Sequence, residues 1–71
     1  MREYAVVIER GESNYSAYCP DVDGCIATGK TRDEAERKFR SALEFHFEGL
    51  RRHGYPIPEP TTKVTTVQIA A

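Results

Sequence analysis

The stretch that decides the fold is Tyr15-Ser16-Ala17-Tyr18-Cys19-Pro20-Asp21-Val22-Asp23-Gly24-Cys25-Ile26-Ala27-Thr28-Gly29-Lys30-Thr31-Arg32-Asp33-Glu34-Ala35. It opens as a strand, with Tyr15, Ala17 and Cys19 alternating against Ser16 and Tyr18. Residues 20–24 break that run through Pro20, Asp21, Asp23 and Gly24, each a turn former for its own reason. Residues 25–29 resume as a short strand. Thr31-Arg32-Asp33-Glu34 then reads as a capping box, in which the Thr31 hydroxyl accepts from the Glu34 N–H and the Glu34 carboxylate reaches back. Asp33 and Glu34 also suit the positive end of a helix dipole. Strand, turn, strand and helix start thus follow one another within twenty-one residues.

Working outward, residues 3–9 place Tyr4, Val6 and Ile8 on one side of a further strand, joined to the next by the turn Gly11-Glu12-Ser13-Asn14. Downstream of Thr31, the side chains of Ala35, Phe39, Ala42, Leu43, His46 and Leu50 share a stripe about 100° wide. Phe47 borders the stripe and Phe45 points away from it. Arg51, Arg52 and His53 load the last helical turn, and Gly54 supplies the stop. Tyr55-Pro56-Ile57-Pro58-Glu59-Pro60 must be extended, because Pro56, Pro58 and Pro60 cannot continue a helix. Residues 62–70 alternate again and are expected to form a fourth strand. The predicted fold is α+β: β-β-β-α-β, an antiparallel sheet with one helix on one face, in a single domain over residues 1–71.

Composition bounds the rest. The chain has 71 residues, ten Lys/Arg, eleven Asp/Glu and a formal charge of −1, with 39% hydrophobic residues. A compact chain of this mass exposes about 4,400 Å² and buries roughly 62% of its unfolded surface. So small a core needs help from a staple, a metal or self-association. One helix covers only one sheet face, leaving some of Ala5, Val7, Tyr18 and Ile26 uncovered, so a homodimer or higher oligomer is expected. The charge balance provides no bulk drive toward nucleic acid or anionic membrane. No apolar run approaches the roughly 20 residues of a membrane span, and no signal-peptide core opens the chain, so a cytoplasmic location is expected. Cys19 and Cys25 match neither a redox nor a zinc spacing and read as small buried hydrophobes, with a hairpin disulfide the less favoured alternative.

The search for chemistry yields few candidates. No phosphate-binding loop, zinc-protease helix or nucleophile elbow is present. His46 lies on the apolar stripe and reads as a core or interface histidine with one hydrogen-bonded nitrogen, in preference to a proton-transfer group without a partner. Asp21 and Asp23 could hold a cation beside Gly24, but one turn supplies too few ligands, and capping of local N–H groups with a solvated tip is preferred. Phe45, flanked by Glu44 and Glu48, either lies under a loop or anchors an interface. Arg37, Arg40, Arg51 and Arg52 alternate with acids and form a solvated face. Neither a cofactor nor a catalytic or metal-binding residue is expected.

Three motifs together resemble a known family. Tyr18-Cys19-Pro20-Asp21-Val22-Asp23-Gly24-Cys25, then Gly29-Lys30-Thr31-Arg32-Asp33-Glu34-Ala35, then Ala42-Leu43, His46 and Gly54-Tyr55-Pro56-Ile57-Pro58-Glu59-Pro60 closely resemble the HicB antitoxins. Pro20, Gly24, Thr31, Glu34, His46, Gly54, Pro56 and Pro58 carry the resemblance as structural positions. It implies the N-terminal domain of that family, a partial RNase H-like fold. It also implies a partner, a HicA-type toxin that cleaves mRNA and carries the catalytic histidine itself. Many members continue into a DNA-binding domain; this sequence ends at Ala71, so no separate DNA-binding domain is expected. Two-metal nuclease chemistry finds no carboxylates in Ala5, Val6, Val7 and Ile8 of the first strand. Opposing a basic RNA-binding toxin calls for local acids, which makes Asp21, Asp23, Glu44 and Glu48 the toxin-contact candidates, with Phe45 as an apolar anchor. The alternative is a self-associating module of the same fold without a toxin.

Overall fold

The computed structural model describes residues 1–71. Three strands, β1 (Val7–Arg10), β2 (Tyr15–Cys19) and β3 (Val22–Gly29), form an antiparallel meander in the order β1-β2-β3. One helix, α1 (Arg32–Arg52), crosses one face of it. The fold class is therefore α+β, as the alternation and the capping signal predict.

The ladder explains where each strand stops. Val7 pairs with Tyr18, so residues 4 and 5 face the turn that begins at Pro20 and have no ladder to join. β1 is accordingly shorter than residues 3–9. The β2–β3 turn is tighter than the sequence suggests: Cys19 already pairs with Val22. Pairing then resumes at Tyr18 with Ile26, which leaves Asp23, Gly24 and Cys25 as a bulge. Gly24 sits at φ +76°, where a Cβ would be strained.

Two cross-strand rows define the two faces of the sheet. Ile8, Ala17 and Ala27 are aligned toward the helix, and Val7, Tyr18 and Ile26 are aligned on the opposite face. The core consists of Ala17, Cys19, Val22, Cys25, Ala35, Phe39 and Phe47, with Tyr4, Ile8, Leu43, Leu50 and Ile57 packed around it. Phe39 is the largest fully enclosed side chain. Phe47 lies deeper than its place at the border of the helical stripe suggests. Tyr4 accounts for this, since its ring meets Phe47 at 5.2 Å between centroids.

Both helix ends are closed. Thr31 Oγ1 accepts from Glu34 N at 3.1 Å, as the capping box requires, but Glu34 Oε1 reaches one residue further back, to Lys30 N at 2.8 Å. At the other end Tyr55 N donates to Leu50 O and Gly54 N to Arg51 O, with Gly54 at φ +74°. That is a Schellman motif. Gly29 plays a part the sequence does not advertise. A Cβ there would lie 2.6 Å from Ala35 N, so the end of β3 can pass under the first helical turn only as glycine.

The fourth strand expected over residues 62–70 is absent from this sheet. Beyond Gly54 the chain crosses the end of the sheet instead. Tyr4 Oη and Arg2 Nη1 donate to Pro58 O, Arg2 Nη1 also reaches Ile57 O, and Arg2 pairs with Glu59. Three hydrogen bonds to Asp21 then hold Thr61 and Thr62. Pinned at both points, the chain leaves the sheet after Thr62 with its alternating residues unpaired. Val64, Val67 and Ile69 are 72%, 76% and 75% exposed.

Candidate interaction surfaces

The residues singled out by sequence separate into those the fold consumes and those it leaves free. Asp21 is consumed. Its Oδ2 accepts from Thr62 N at 2.9 Å, and its Oδ1 accepts from Thr62 Oγ1 at 2.8 Å and Thr61 Oγ1 at 3.0 Å. The Thr62 N–H first, and then the hydroxyls, hold the Asp21 carboxyl below its ordinary range. The local N–H cap expected at this turn is thus replaced by a clamp on a segment forty residues away. Asp23 stands exposed on the β3 bulge and makes no hydrogen bond or ion pair within the chain. The two aspartates share a turn but not a function.

Glu44 and Glu48 also part company. Glu48 Oε1 accepts from Arg52 Nη2 at 3.0 Å along the exposed side of α1. Glu44 is exposed beside Met1, Arg2 and Tyr4, on the β1 side of the helix. Phe45 is 79% exposed and faces the other way, over β3. It lies under no loop of its own chain. Glu44 and Phe45 therefore line different grooves, whereas Glu48 stands one helical turn from Phe45.

Around Phe45 runs a groove of about 440 Å³ between the outer edge of β3 and the C-terminal half of α1. Gly24 and Ile26 form one wall, and Ala42, Gly49 and Leu50 with Phe45 the other; His53 and Tyr55 close one end with rings stacked at 5.9 Å. His46 also lines it, half-buried, its ring 6.3 Å from that of Phe47 and without the hydrogen bond expected of it. No Asp, Glu, Lys or Arg lines the groove. Sequence reasoning identified Phe45 and Ile26 separately. Their juxtaposition follows from the bulge, which no periodicity reveals.

No cluster of three His, Cys, Asp or Glu side chains converges as a metal site. Cys19 and Cys25 are free thiols within the core, and burial, then the neighbouring Cys19, pushes the Cys25 thiol up, away from the reactive thiolate. No helix is long and apolar enough to cross a membrane.

A three-stranded meander with one helix, capped at both ends, defines a small α+β domain. The chain belongs to the HicB-like antitoxins of bacterial toxin–antitoxin systems, whose family model matches residues 4–70. It is 32% identical over 66 residues to the UPF0150 protein Ta0767 of Thermoplasma acidophilum, covering 92% of this chain and 96% of that one. It is 31% identical over 67 residues to the UPF0150 protein ssr1765 of Synechocystis, covering 93% and 85%. A 14.9 kDa protein of Haemophilus phage HP1 is 34% identical over 56 residues, 79% of this chain but only 42% of the phage protein. No solved structure matches the chain.

Proposed function

We propose that this protein neutralises a HicA-type, mRNA-cleaving ribonuclease by binding it, without catalysis of its own, and that it works in the cytoplasm as a homodimer or larger assembly. The observation that carries this reading is the family match over residues 4–70. The family resemblance implies a partial RNase H-like architecture, and the β-β-β-α order supports its α+β class. A ribonuclease presents Lys and Arg to phosphates, and an inhibitor gains on-rate and specificity by meeting them with unpaired carboxylates. Asp23 and Glu44 meet that condition; Asp21 and Glu48 already have partners within the chain. The toxin-contact set is therefore Asp23 and Glu44, with Phe45, in the neighbouring groove over β3, the apolar candidate.

The test is an RNA-cleavage assay with a HicA-type toxin, titrated with wild type, Asp23→Lys, Glu44→Lys and Phe45→Ala. Wild type should protect RNA stoichiometrically, and at least one charge reversal should raise the amount needed about tenfold or more while the helical circular dichroism stays unchanged. If wild type binds no such toxin at micromolar concentration, the reading is wrong, and a self-associating module without a toxin takes its place.

A further inference from the structure

The arm beyond Thr62 and the groove along β3 are complementary, yet they do not meet within one chain. Val64-Thr65-Thr66-Val67-Gln68-Ile69 is extended and β-branched at five of six positions, and no strand pairs with it. Such a run commits its backbone to a ladder that its own sheet does not provide. On the acceptor side, β3 has eight residues against four for β1, and beyond its bulge residues 26–29 carry no charge, whereas β1 ends in the charged pair Glu9 and Arg10 that blunts an edge. The groove beside β3 has no charged lining residue, and residues 64–71 carry no charge, in a chain that is 30% charged. A Cβ added at Gly24 or Gly49 would meet nothing within 4 Å, so the groove has open space on both walls.

Area makes the same point. The chain exposes 6078 Å². A compact monomer of its mass exposes about 4,400 Å², an excess of about 1,700 Å². A standard interface buries about 800 Å² per partner, so seating the arm is enough to supply one. Placement decides which chain donates it. The Asp21 clamp roots the arm next to the first residue of β3, so donor and acceptor lie on the same edge of the molecule. A twofold axis along that edge satisfies both contacts at once and leaves neither open.

We propose that residues 64–69 of one copy occupy the β3–α1 groove of a second copy as an added fourth strand, and that the exchange is reciprocal. Val67 and Ile69, on the helix-facing side of the arm, then pack against Phe45, while Val64 on its other side extends the row of Ile26. The fourth strand that the alternation predicts exists, in the partner's sheet. This inference rests on the proposed self-association and not on the toxin reading.

Sedimentation equilibrium of the 71-residue chain at about 10 μM tests it, cysteines kept reduced. Wild type should give twice 8.0 kDa. Val67→Asp with Ile69→Asp should weaken association at least about 100-fold, because two carboxylates would be buried without partners. On the acceptor side Ile26→Asp with Phe45→Asp should do the same. All four side chains are exposed in the single chain, so the helical circular dichroism should not change. Mixing the two double variants should restore a heterodimer through the one intact arm–groove contact, which a face-to-face dimer would not do. A wild type of 8.0 kDa alone overturns both self-association and exchange. A dimer that survives the arm variant overturns the exchange only. Toxin neutralisation is a separate assay, and its failure leaves these masses unchanged.

Discussion

Residues 15–19 and residues 64–69 carry the same kind of message and meet different fates. Both are short alternations rich in residues that favour extended backbone. The first becomes β2, bonded to β1 on one side and β3 on the other, with Ala17 wholly enclosed. The second is equally extended but bonded to nothing, and its valines and isoleucine face solvent. The arm stretches the molecule to 48 Å along its longest axis and its radius of gyration to 13.9 Å. A compact chain of this length would measure about 11 Å. Period-two alternation therefore decides conformation and sidedness, and it leaves open which edge receives the strand.

That contrast can be broken from the packed side first. Phe39→Ala removes the largest enclosed side chain and should cost about 3–5 kcal/mol, most of what a domain this small holds. The urea midpoint should collapse, whereas truncating Val67 to Ala should leave the midpoint of the dilute single chain in place. Gly29→Ala comes next, since the added methyl meets helix backbone at 2.6 Å rather than a flexible side chain. Its cost should be about 1–3 kcal/mol. Thr31→Ala removes the cap on Glu34 N and should cost about 0.5–2 kcal/mol, again read as a lowered urea midpoint.

The smallest global effect belongs to the joint between the two regions. Asp21→Ala should barely move the urea midpoint, but the Thr62 amide should exchange with solvent much faster once the carboxylate clamp is gone. The same joint should respond to acid. The Asp21 carboxyl is held down chiefly by the Thr62 N–H, and the Glu34 carboxyl by the Lys30 N–H and then by Lys38. Depressed folded values mean that both contributions are complete above the unfolded carboxylate values of about 4 and fade as pH falls through the folded ones. Thr62 protection should be flat from pH 7 to 5, begin to fall only below the unfolded carboxylate value of about 4, and be lost once the Asp21 carboxyl itself is protonated. Protection that persists after the Asp21 carboxyl is seen to protonate would show that Asp21 does not hold the arm's root.

The legible part of the site was chemical and the illegible part spatial. Glu44, Glu48 and Phe45 are neighbours in sequence, and the helical period already separates Phe45 from the core stripe. What separates it from Glu44 is the sheet beneath, which places Arg2 and Tyr4 under one side of α1 and Gly24 and Ile26 under the other. Asp21 reads as a turn former because local spacing cannot see Thr61 and Thr62, forty residues on. Gly29 reads as the end of a strand, because a close approach between two backbones leaves no periodic mark in either.

By itself the sequence determined the local conformations: three alternating strands, a helix bounded by Thr31 and Gly54, and an extended tail with prolines at its start. These depend on φ/ψ preference, side-chain period and capping chemistry, all of which act within a few residues. Only the tertiary structure decided the register that opens a bulge at Asp23, Gly24 and Cys25, the clamp from Asp21 to Thr62, and the departure of the last strand from its own sheet. Each of these requires one segment to find another across the chain. Hydrogen-bonding groups and apolar surface do not carry the address of their partner; geometry assigns it.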